Sequence, residues 1–168
     1  MNSVVSLNSI RFIILVLVQV VIFNHINFMG YINPYIYILF IVLYPTKNNR
    51  ALLIFLSFLL GLSIDLFSDS GGVHAAASVL IAYVRPVVLR YAFGVQYENY
   101  AIKFHNVEFG AKLTYITLLT LLHHVVLFSL EIFSISRILL ILQKTLFSSI
   151  FTILLCFLIT IIFSRKTK

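Results

Sequence analysis

Charge is scarce in this sequence: Asp, Glu, Lys and Arg make up 10% of 168 residues, whereas 61% are hydrophobic. Water-soluble domains carry about 25% charged residues and are roughly half apolar. With a mean hydropathy of +1.08, the chain carries more apolar surface than a soluble fold of this length can hide, and it reads as an integral membrane protein. Cysteine is nearly absent. The single Cys156 lies inside the last apolar run, which excludes an intrachain disulfide and argues against redox chemistry.

Several familiar features are also missing. Phe12 to Phe23, behind Arg11, has the look of a secretory signal core, but the following "NHINFMG" lacks a small-x-small cleavage site, so an uncleaved first span is expected. The longest loop, Ala92 to Ala111, is too short to hold a core of its own. There is no internal repeat. The net charge of +7 would suit nucleic acid only if the basic residues were clustered on one soluble face; instead they sit dispersed at the ends of apolar runs, as in an oriented membrane protein.

Motifs for catalysis are likewise lacking. There is no Gly-x-Ser-x-Gly elbow, no His-Glu-x-x-His zinc helix and no phosphate-binding loop. Asp65 and Asp69 share one segment, whereas an intramembrane aspartyl protease needs two aspartates facing each other across helices. His74, His123 and His124 match no standard ligand spacing. No catalytic, cofactor-binding or metal-binding residue is therefore assigned, and a non-enzymatic protein is expected.

What is present is a series of apolar segments. A spanning helix needs about 20 such residues, and the segments run Ile10 to Ile26, Phe28 to Tyr44, Ala51 to Phe67, Val73 to Tyr91, Lys112 to Leu130, and from a start between Ile138 and Thr145 to Phe163. This predicts one all-α transmembrane domain, a polytopic bundle of five to six helices. The second segment is the weakest, because Asn33-Pro34 interrupts its start; its tyrosines, Tyr31, Tyr35, Tyr37 and Tyr44, suit interface anchors. With six spans and both termini in the cytoplasm, the inner side collects Arg11, Lys47, Arg50, Arg85, Arg90, Lys103, Lys112, Arg165, Lys166 and Lys168, leaving Arg137 outside and Lys144 ambiguous. That asymmetry fits the positive-inside rule. A five-span arrangement would misplace only Arg11.

The stretch "GLSIDLFSDSGGVHAAASVLIAYVRP", residues 61 to 86, departs from the apolar background. Gly61, Asp65 and Asp69 recur every four residues and are expected on one helical face, with Gly61 allowing a neighbouring helix to come close. Gly71-Gly72 permits the positive φ of a tight reversal. His74 then falls at about the depth of Asp65, which predicts a hydrogen bond between these two side chains across the hairpin. Ala75, Ser78 and Ala82 form a small-residue stripe leading to Arg85 and a helix-kinking Pro86. In the fifth segment His123 and His124 point about 100° apart, which favours interhelical hydrogen bonds over a shared ion, and His124, Phe128 and Glu131 share a face. The basic inner loops, with Arg85, Arg90 and Lys103, suit anionic lipid headgroups first and a cytoplasmic partner second.

Chemistry alone leaves two classes level. One is a membrane scaffold that holds other proteins together; the other is the substrate-binding membrane subunit of an importer, since ionisable groups in a membrane often mark substrate or proton paths.

The hairpin also carries a resemblance. Gly61-x-x-x-Asp65, then Gly72, His74 and Ala75 ahead of a small-residue-rich span, resembles the corresponding region of MreD, the rod shape-determining membrane protein family of bacteria, and "HHVVLFSLEIF" from His123 to Phe133 is similar to its Bacteroidetes versions. The resemblance implies a non-enzymatic role in cell elongation without a cofactor. Its implied partners are an MreC-like single-span periplasmic protein and, directly or indirectly, MreB, a RodA-type glycosyltransferase and its transpeptidase. It implies residence in the bacterial cytoplasmic membrane, and a fold similar to the vitamin-binding S component of energy-coupling transporters.

Overall fold

The computed structural model describes residues 2–26, 32–46, 49–94 and 107–163. Its main helices are α1 (Asn2–Val21), α2 (Leu39–Leu43), α3 (Arg50–Ser68), α4 (Val73–Phe93), α5 (Phe109–Ile132) and α6 (Ile138–Phe163). Five helical stretches are long and apolar enough to cross a membrane: Leu7–His25, Arg50–Ser68, Val73–Phe93, Phe109–Ile132 and Ile135–Ile162. The protein is an all-α, multi-pass membrane bundle. Lys47, Lys103, Arg165, Lys166, Lys168, Tyr31, the start of the predicted second span and most of the Ala92–Ala111 loop lie outside the described residues.

Hydropathy and length account for α3 to α6, whose observed limits lie within a few residues of expectation. At 1.5 Å per residue, the 19 residues of α3 reach about 28 Å, close to the roughly 30 Å hydrocarbon thickness. Large apolar side chains on the outer faces of α1 and α6, such as Leu17, Leu139 and Ile162, meet lipid at no cost, because lipid tails are as apolar as they are.

The second segment does not form a spanning helix. Residues 33–35 are non-helical, Ile36–Ile38 form a single 3₁₀ turn, and α2 adds only five residues. Yet this stretch is the centre of the molecule: Ile32, Tyr35 to Val42 and Tyr44 are all buried. Gln19 of α1 bonds Pro34 and Ile36, and Arg11 bonds the Leu43 carbonyl, so the stretch runs antiparallel to α1 through the bundle. The chain thus runs six times along the bundle, five of them as helices long enough to span. Leu7 and Ile159 border one groove, which puts the start of α1 and the end of α6 at the same end of the bundle.

Non-helical backbone survives at membrane depth only when protein satisfies it. Here the Gln19 side-chain amide, fully buried, donates to the Pro34 carbonyl at 3.1 Å and accepts from the Ile36 N–H at 2.9 Å. It pairs with the extended chain as a neighbouring strand would. From α6, the Thr152 hydroxyl accepts the Tyr35 N–H at 3.0 Å. These bonds explain why an apolar run reading as a span is broken instead. They also correct the expectation for the tyrosines: Tyr35, Tyr37 and Tyr44 are core residues, not anchors at the interface.

Candidate functional site

The α3–α4 hairpin is built on one close approach and one carboxylate. A Cβ added to Gly61 would overlap the Cα of Ala75 and the carbonyl oxygen of His74, so glycine is what lets the two backbones touch. Directly above, Asp65 reaches the start of α4. Its carboxylate accepts the N–H of His74 at 3.0 Å, the N–H of Ala75 at 2.9 Å and the Ser70 hydroxyl at 2.5 Å. The two N–H groups belong to the first turn of α4, whose donors have no helix carbonyl to bond, and a negative charge there is further favoured by the helix dipole. Asp65 is therefore an N-cap supplied from the preceding helix.

This corrects the expected Asp65–His74 side-chain pair. The depth was right, but the carboxylate is occupied by α4 backbone, and the imidazole turns away from it. Asp69 does not continue the Gly61–Asp65 face either. It lies past the end of α3 as its C-cap, exposed, at φ 50°, a left-handed conformation that Asp tolerates better than most residues. Gly71 and Gly72 adopt φ of 66° and 94°, as the reversal requires.

The His74 ring faces the core. Its Nδ1 lies 3.0 Å from the Tyr37 hydroxyl, which is in turn 2.8 Å from Nε2 of His123. Tyr37 and His123 are fully buried, so a hydrogen-bonded chain runs from α4 through the broken crossing to α5. Ser78 lies beside Tyr37. His124 looks the other way: Nδ1 is 2.8 Å from the Thr120 carbonyl and Nε2 is 3.2 Å from the Thr152 hydroxyl of α6. The Tyr35 ring packs among His74, His123, His124 and Phe128, with centroid distances of 5.3 to 6.3 Å. The two adjacent histidines do serve two different interfaces.

At the opposite end, Arg85 is 4% exposed. Its Nε donates to the Tyr115 hydroxyl at 2.7 Å, and Nη2 donates to the carbonyl oxygens of Tyr44 and of Val42. The guanidinium thus closes the C-terminal end of α2, where helix carbonyls have no intrahelical donor. This overturns its expected placement among lipid-facing basic residues; Arg90 is exposed, as expected. Ala75, Ser78 and Ala82 are buried against the bundle's own helices, so the stripe serves internal packing. Glu131 is partly exposed and pairs with Lys144 at 2.9 Å, the only ion pair among the described residues, and Lys144 also lies 5.5 Å from the Phe128 ring centroid. The His124, Phe128 and Glu131 face is thus the α5 surface that α6 covers.

Beside the hairpin an open cleft of about 470 Å³ lies between the end of α1, the α3–α4 turn and the end of α5. His74 and Tyr35 line its depth; Asn24, Ser68, Asp69 and Glu131 line its walls. Among the described residues no group of three or more His, Cys, Asp or Glu is placed to hold a metal ion.

The residues not anticipated are Gln19, Asn24, Tyr37, Tyr115 and Thr152. Gln19 carried a readable signal, as an amide inside the otherwise apolar run from Phe12 to Phe23, where an unpaired polar group is costly. The tyrosines carried none, since an aromatic in an apolar run suits core and interface equally. No protein-family model, curated protein or solved structure matches the chain.

Proposed function

We propose that this protein is a non-enzymatic scaffold of the MreD kind, a multi-pass protein of the bacterial cytoplasmic membrane with both termini in the cytoplasm. In this reading it pairs with an MreC-like single-span periplasmic protein and helps couple MreB to peptidoglycan synthesis by a RodA-type glycosyltransferase and its transpeptidase, and so to cell shape. The observation that carries the reading is how the polar residues of the bundle are used. Asp65 caps α4, Gln19 and Thr152 hold the broken crossing, and Arg85 closes α2 through the carbonyls of Val42 and Tyr44. Each acts on the chain's own backbone, which builds a rigid body suited to docking other proteins. The Gly61, Asp65, Gly72, His74 and Ala75 motif behind the resemblance is the one that fixes the α3–α4 crossing.

The test is a gentle-detergent pull-down of the tagged protein from its own host, read by mass spectrometry. Recovery of a single-span periplasmic protein with wall-synthesis enzymes supports the scaffold. Recovery of ATPase subunits with a second multi-span protein rejects it in favour of a substrate-binding importer subunit, the reading that the 470 Å³ cleft favours.

A further inference from the structure

The cleft beside the hairpin differs from the rest of the molecule in charge. The chain is strongly basic and has only five acidic residues, yet two of them, Asp69 and Glu131, line this cleft, with Asp65 buried in the hairpin beside it. Asp65 is satisfied by α4 and Glu131 by Lys144. The Asp69 carboxylate has no hydrogen-bond partner among the described residues and lines the cleft wall. At 470 Å³ the space lies within the range of small-molecule sites, roughly 300–1,000 Å³.

The floor supplies a second, independent feature. His74 is 6% exposed and lines the cleft; its Nδ1 is taken by Tyr37. Its Nε2 has no partner among the described residues and, unlike Nδ1 of His123, is not sealed from the outside. The tautomer follows from the chain of bonds behind it. Tyr37 has one hydroxyl proton for two imidazole nitrogens, so it donates to one and accepts from the other. Nδ1 of His123 is buried without a partner, and a stranded N–H is rarer in proteins than a stranded acceptor. The proton of His123 therefore sits on Nε2 and is donated to Tyr37. Tyr37 donates to Nδ1 of His74, and His74 presents an Nε2–H to the cleft.

We infer that this cleft binds a small ammonium compound that also carries a hydrogen-bond acceptor, such as an ethanolamine unit. The ammonium lies at Asp69 and the acceptor takes the His74 Nε2–H, with Tyr35 beneath. Two sources offer this chemistry: a free amino alcohol, and the ethanolamine headgroup of a bilayer lipid. The site goes beyond the scaffold reading, and its test on isolated protein does not depend on which partners are recovered from cells.

The probe is ethanolamine, titrated calorimetrically into the full chain in nanodiscs of phosphatidylglycerol. A second arm compares thermal unfolding in those nanodiscs with nanodiscs containing phosphatidylethanolamine. Asp69→Asn keeps the size of the side chain and suits its left-handed backbone, so it leaves the fold intact. Saturable binding in the first arm assigns a free ligand, and stabilisation in the second alone assigns the headgroup. In either case Asp69→Asn must weaken the effect by roughly tenfold, the scale of one lost attraction at a partly solvated site. The ¹⁵N resonance of His74 Nε2 must move on binding. No effect in either arm, or an effect indifferent to Asp69→Asn, overturns the inference.

Discussion

Replacing Asp65 by alanine strands the N–H groups of His74 and Ala75, both buried and both bonded to its carboxylate. A buried donor left without a partner costs about 1–3 kcal/mol, so Asp65→Ala is expected to lower stability by about 2–6 kcal/mol. Asp65→Asn keeps one acceptor oxygen but turns an amide NH2 toward the other backbone N–H and loses the charge at the α4 N-terminus, and about 1–3 kcal/mol is expected. Equilibrium unfolding in mixed micelles with increasing SDS, followed by circular dichroism, measures both. A double-mutant cycle then separates the observed geometry from a side-chain pair. Tyr37→Phe and His74→Ala remove the two ends of a real hydrogen bond and should couple by about 0.6–1.7 kcal/mol, the span found for such bonds within membranes. Asp65→Ala and His74→Ala should couple less, because the alanine at 74 keeps the N–H that Asp65 binds. An Asp65→Ala protein within about 0.5 kcal/mol of wild type, or a larger coupling for the Asp65 cycle than for the Tyr37 cycle, refutes the cap.

Gly61→Ala drives a methyl group into the backbone of α4 and is expected to cost about 1–3 kcal/mol as overpacking, measured by the same unfolding assay. Gln19→Leu removes both bonds to the Pro34–Ile36 backbone and should cost about 2–4 kcal/mol at one to two for each stranded group; increased protease cleavage between α1 and α3 is the local readout. Arg85→Met frees the α2 carbonyls and the Tyr115 hydroxyl, and a loss of at least about 2 kcal/mol is expected, since bonds to a charged group contribute about 1.5–3 kcal/mol each. Glu131→Gln breaks a partly exposed pair and should change stability by less than about 1 kcal/mol.

The spanning helices were legible because hydropathy over about 20 residues is a sum, and sums tolerate local error. The hairpin was legible too, since Gly61, Gly71 and Gly72 are needed for reasons visible one residue at a time: a close approach and a positive φ. Residues 32–44 defeated the same reasoning. Their apolar and aromatic composition is that of a helix facing lipid, yet protein surrounds them on all sides, and hydropathy cannot tell the two apart. What breaks the helix is a hydrogen-bonding offer from Gln19 and Thr152, 17 residues before Ile36 and 117 after Tyr35. Spacing along the chain holds no trace of it. For Asp65 the depth and the partner residue were right and the partner atom was wrong, because a carboxylate near a helix start meets backbone N–H groups before it meets a side chain.

The broken crossing also bears on how the chain is made. Residues 32–44 contain no helix long enough to enter a bilayer alone, and one of their backbone partners, Thr152, lies on α6, which is synthesised after α1 to α5. Until α6 is in place, the Tyr35 N–H has no acceptor from that side. Assembly therefore cannot proceed as helices inserted one by one and then packed in order of synthesis. The second pass must wait near the membrane surface, or sit unpaired, while four further helices are threaded. A chain truncated after α5 would hold every helix of the hairpin and still lack the closure that keeps its centre in hydrocarbon, so α6 acts as the latch on the second pass.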